Sequence, residues 1–110
     1  MNRKTHIRSL VMVALFIPAI STANTSVDNA HKVCQTFENS NLLSKPCEIS
    51  GLKSKINITL DMSPSEARKT CTSAVNLFKK NGITFNSGWT LNIYSPYNNK
   101  NSIAYCNLPI

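Results

Sequence analysis

The sequence predicts an α+β domain: one main helix at about residues 63–81 packed on a mostly antiparallel sheet of three or four strands, with disulfides stapling the two layers together. Three observations carry that expectation. An apolar stripe at helical spacing is bracketed by a start and a stop signal. Stretches before and after it alternate apolar and polar residues with the period of a strand. The cysteines number four, an even count, and all of them follow an apparent export signal.

The helix is the best-specified element. Ser63 is placed to cap it, Pro64 suits its first turn, and Glu66 completes a capping box. Ala67, Cys71, Ala74, Val75 and Phe78 recur on one face. Arg68, Lys69, Thr72, Asn76, Lys79 and Lys80 occupy the opposite, wet face, with the last two lysines at the negative end of the helix dipole. Asn81 and Gly82 supply a left-handed stop. Because Cys71 lies in the apolar stripe, the helix is expected to be tied covalently to what it covers.

Taken in order, residues 1–23 read as a cleaved secretory signal. Arg3, Lys4 and Arg8 make a cationic start, an apolar run from Leu10 to Ile20 follows, and Ser21, Thr22 and Ala23 offer small residues for cleavage. The run is too short to span a bilayer, which takes roughly 20 residues. No transmembrane segment is therefore expected once the signal is removed. Its removal takes Lys plus Arg from 12 to 9 while all 5 acids stay, so a net charge of +7 falls to +4. Much of the basicity thus belongs to the targeting segment.

Residues 24–30 are polar and patternless, a flexible leader, and 31–110 form a single small domain. A short helix is expected over about 28–39, with Asp28 as cap and Val33, Cys34 and Phe37 on a shared face. Residues 40–46 break it. After Ile49 and a turn at Gly51, Ile56, Ile58 and Leu60 alternate with Asn57 and Thr59, a strand with one dry and one wet face. Beyond the main helix, residues 83–85 read as a short strand. Residues 89–94 and 102–108 read as two more, joined as a hairpin through the loop at 95–101.

Cys34, Cys47, Cys71 and Cys106 suit two disulfides in an oxidising compartment. The favoured pairing is Cys34 with Cys47 and Cys71 with Cys106, the second bolting the main helix to the last strand. A metal site is not expected, since no two cysteines stand two to four residues apart and His31 is the one histidine beyond the signal. No cofactor is expected either.

The catalytic inventory is thin, so the chain is not expected to be an enzyme. It has no Gly-x-Ser-x-Gly elbow, no His-Glu-x-x-His and no phosphate-cradling glycine loop. Asp28, Glu38, Glu48, Asp61 and Glu66 are scattered, and capping explains Asp61 and Glu66. Two sequons, Asn24-Thr25-Ser26 and Asn57-Ile58-Thr59, matter only in a eukaryotic secretory pathway. Two surfaces suit recognition. The loop carrying Tyr94, Pro96 and Tyr97 offers aromatic contact area at low entropic cost. The basic helix face of Arg68, Lys69, Lys79 and Lys80 offers charge.

These readings converge on a periplasmic or secreted, non-enzymatic binding or accessory protein of the bacterial envelope, working by surface complementarity. Its expected partner is another envelope or extracellular protein, an anionic surface or a glycan. Nucleic acid is not expected, because export removes the chain from cytoplasmic DNA. The alternative is a secreted effector or toxin acting on another cell or an anionic surface through the basic helix face.

Overall fold

The computed structural model describes residues 25–110. Residues 1–23, which the sequence reads as a signal, and Asn24 lie outside the described residues. Among the described residues, two helices and four strands follow in the order α1 (Thr25–Asn39), β1 (Glu48–Ser50), β2 (Lys55–Thr59), α2 (Pro64–Lys80), β3 (Thr90–Tyr94) and β4 (Ala104–Asn107). The strands lie in one sheet in chain order. β1 and β2 are antiparallel, as are β3 and β4, whereas β2 and β3 run parallel. The parallel pair at the centre follows from α2, which carries the chain back to the starting edge before β3 begins.

Strand register decides which side chains face the helices. Ile49, Ile56, Leu91 and Cys106 form one row across all four strands, and Ile58, Ile93 and Ala104 form a second. Both rows are covered: α1 lies across β1 and β2, and α2 across β3 and β4. The helices meet through Phe37 and Phe78, whose rings stand edge to face at 6.4 Å. Two helices on one face of a sheet make a two-layer α+β domain.

Helix α2 forms as its local signals dictate. Ser63 Oγ accepts from the Glu66 backbone N–H, and Glu66 Oε1 accepts from the Ser63 N–H, at 3.2 and 3.1 Å. At the other end Gly82, with φ of 72°, lets its own N–H reach Lys79 O and that of Ile83 reach Phe78 O. This pair of bonds is a Schellman stop, and the positive φ is what glycine permits there.

Both disulfides join the partners favoured from sequence. Cys34–Cys47 ties α1 to the approach to β1, and Cys71–Cys106 ties α2 to β4, with Cα atoms 5.5 and 6.0 Å apart. A disulfide pair of this kind belongs to an oxidising, non-cytoplasmic setting. Among the described residues, no helix is long and apolar enough to cross a membrane.

Two expectations are corrected. Residues 25–30 are not a flexible leader but the first turns of α1, with Ser26, Asn29 and Ala30 buried. Their polar groups are satisfied at long range: Asn29 Nδ2 donates to Thr84 O at 2.7 Å and Ser26 Oγ accepts from the Asn86 N–H at 2.9 Å. Residues 83–85 are not a strand. Ile83 is used in ending α2, and Phe85 donates its N–H to Pro109 O while its ring packs on Trp89 at 5.6 Å. The fourth strand is instead β1, whose three residues are too few to show an alternation.

Candidate functional site

The same register that buries the isoleucines turns another set of side chains to the uncovered face. Glu48, Asn57, Asn92 and Tyr105 form a row across the sheet; Ser50, Lys55, Thr90 and Asn107 form the next, and Thr59 pairs with Tyr94 at the far end. This face is polar throughout, though Thr59 and Asn92 on it are buried. Tyr105, in edge strand β4, is 67% exposed.

Near the carboxyl ends of β2 and β3 the face deepens into a cavity of about 150 Å3, lined by Lys45, Glu48, Asn57, Thr59, Tyr94 and Asn99. A second hollow of about 180 Å3 adjoins it and shares Lys45, Thr59 and Asn99, with Ser44, Ser95 and Pro96 completing its wall. Both walls are held by backbone. On one side Leu43 bridges Leu60 and the Ser44 N–H donates to Thr59 O at 2.9 Å, which sets Lys45 in the wall of both hollows. On the other side the 95–101 loop is folded on itself. Asn98 N–H donates to Ser95 O, Ser95 Oγ accepts from the Tyr97 N–H, and Asn98 Oδ1 accepts from the Lys100 N–H. The loop is also anchored across the chain, because Tyr97 Oη donates to Asp61 Oδ2 at 3.1 Å.

The floor of the cavity contains an unsatisfied group. Asn57 Oδ1 is sealed from solvent and receives no hydrogen bond. Its counterpart on β3 is provided for, since Asn92 Nδ2 donates to Thr90 Oγ1 at 3.1 Å. A buried acceptor left unpaired costs about 1–3 kcal/mol. Such a cost in the middle of a central strand, where asparagine is already disfavoured, needs a reason.

The residues expected to form an interaction surface separate into two groups. Tyr94 and Pro96 line the two hollows, and Tyr97, 81% exposed, holds the loop through Asp61. Arg68, Lys69, Lys79 and Lys80 are exposed on α2, the layer packed on the other face of the sheet. Arg68 and Lys69 line a shallow depression with Thr72 and Ser73; the two later lysines lie about 16 Å further along the helix. Lys45, Glu48, Asn57, Thr59 and Asn99 were not among the expected site residues. The available signal was the wet side of the strand alternation, where Asn57, Thr59 and Asn92 recur at positions that share one face.

Among the described residues, two groups carry displaced pKa values, and both are structural. Glu66 is held below the ordinary carboxylate value, first by the Ser63 backbone N–H and then by the Ser63 hydroxyl. Tyr97 is raised above the usual phenol value by its hydrogen bond to Asp61 and by the charge of that carboxylate. Among the described residues, no cluster of three or more His, Cys, Asp or Glu side chains is arranged to hold a metal. Comparison of the chain with protein-family models, with curated proteins and with solved structures returns no match.

Proposed function

We propose that this chain is an exported, non-enzymatic binding or accessory protein of the bacterial envelope, periplasmic or secreted, and that it recognises its partner with the open face of the sheet. One observation carries the reading. The side of the sheet opposite the helices is polar, carries no helix and is hollowed at one end between two braced walls. A solvated sheet face needs no cavity, and rigid walls lower the ordering cost of binding. The two disulfides support the extracytoplasmic part of the proposal.

The test is retention of envelope material on the immobilised, oxidised protein. Tyr105→Glu and Asn57→Val alter the open face, whereas a Lys79→Glu, Lys80→Glu double variant alters the helix face. Loss of retention with the first two and not the third supports the proposal. The alternative, a secreted effector that meets an anionic surface through exposed Arg68, Lys69, Lys79 and Lys80, requires the reverse. Retention indifferent to the open face overturns the proposal.

A further inference from the structure

Given that reading of the open face, we infer that the cavity over Asn57 is a subsite for a neutral, hydroxyl-rich oligosaccharide. The argument begins with charge. Lys45 and Glu48 both line the cavity, so an anionic ligand attracted by one is repelled by the other, and a cationic ligand meets the same conflict reversed. A ligand without net charge that both donates and accepts hydrogen bonds satisfies all the lining groups at once. The Glu48 carboxylate needs a donor and the Lys45 ammonium needs an acceptor, and the half-buried Asn57 side chain stands in the same lining. Asn99 and the Thr59 hydroxyl can serve either way. Neighbouring hydroxyls on a sugar ring supply both roles a short distance apart.

Size and continuity select a chain of sugars over a single small zwitterion. A cavity of about 150 Å3 is of the size that admits one six-membered ring. The adjoining hollow, sharing three of its lining residues, gives a second ring a place beside it. Tyr94 borders the first hollow, and Tyr105 stands on the same face two residues along and one strand over, about 8 Å away between Cα atoms. Tyrosine presents an apolar ring with a polar tip, which suits the apolar and hydroxylated aspects of a sugar.

The experiment is an amide NMR titration of the oxidised domain with chitotetraose, maltotetraose and cellotetraose as neutral probes, and with free glycine and polyglutamate as charged controls. At least one neutral probe is expected to give saturable shifts in the side-chain amides of Asn57 and Asn99, with larger effects than either control. Asn57→Val and Thr59→Val are expected to weaken that binding more than tenfold. Asn57→Val should also raise the melting temperature, because it removes the unpaired acceptor from a strand that favours valine. That rise separates lost binding from lost folding. Absence of saturable shifts with every neutral probe overturns the inference, as do shifts confined to the outer face of α2. Should the sugars fail while envelope retention still depends on Tyr105 and Asn57, the ligand class is wrong and the open-face reading stands. Should retention also ignore the open face, both fall.

Discussion

Ser63 and Glu66 show how much of a fold can rest on two exposed side chains. Each satisfies a backbone N–H that the first turn of α2 would otherwise leave open. Ser63→Ala is expected to cost about 1 kcal/mol in a urea melt. The Glu66 contribution is linked to pH. Its folded-state pKa lies below the ordinary 4.5, so the stabilisation is complete above the ordinary value and disappears as pH falls through the folded one. Glu66→Gln keeps an acceptor for Ser63 but does not titrate. Melting temperatures followed from pH 7 down to about pH 3 should therefore fall less steeply in Glu66→Gln than in the parent.

Tyr97 presents the opposite sign. Its phenol is raised above 10.0 by Asp61, so the linked stabilisation is present below the ordinary value and lost as pH rises through the folded one. In a phenolate absorbance titration, the step that vanishes in Tyr97→Phe is expected to move down in Asp61→Asn. An unmoved step would mean that the loop is not anchored to Asp61 in solution.

Among the elements, α2 was legible because its information is local: cap, stripe and stop all lie within twenty positions of one another. The pairing of Cys71 with Cys106 was legible because Cys71 lies in the apolar stripe of the helix and Cys106 in the last strand, whereas the register that sets Cys106 beside Leu91 emerged only with the sheet. The start of α1 was not. Ser26 and Asn29 look solvated in sequence, and only the distant backbone of residues 84 and 86 explains their burial. The candidate site was half legible. Tyr94 stood out as an aromatic beside a loop, whereas Asn57 and Thr59 looked like the ordinary wet side of a strand. What sets Asn57 apart is an atom without a partner, and only the packed sheet reveals that.

The two disulfides differ in what they restrain. Cys71–Cys106 spans 35 positions and Cys34–Cys47 spans 13, so loop entropy alone assigns about 4 and about 3 kcal/mol to them. Replacing the first pair with alanines is expected to cost about 1 kcal/mol more than replacing the second. Parallel urea melts of the two double variants measure the difference directly. Equal losses would show that chain entropy is not what separates the two bridges.

At the scale of the whole molecule, a domain this small buries a modest core, and two cross-links together supply an amount comparable to the full stability of such a fold. The helices take one side of the sheet and meet each other there, Phe37 on Phe78, which concentrates the apolar burial in a single layer. The other side is thereby released from any duty to the core. Its residues are free to be polar, as Asn57 and Asn92 in the two central strands are.

The parallel register of β2 and β3 also dictates a schedule. These neighbours cannot align until the seventeen residues of α2 have swung the chain across the sheet, so the middle of the molecule is assembled late and from both halves at once. Oxidation should follow the same sequence during maturation: the short-range sulfur pair closes early, and the long-range one waits for the crossover. Acid-quenched refolding from the reduced state is expected to accumulate a one-bridge species containing Cys34–Cys47. A catalyst of thiol oxidation acting on the newborn chain would then find its slow step at Cys106, in the last strand to arrive.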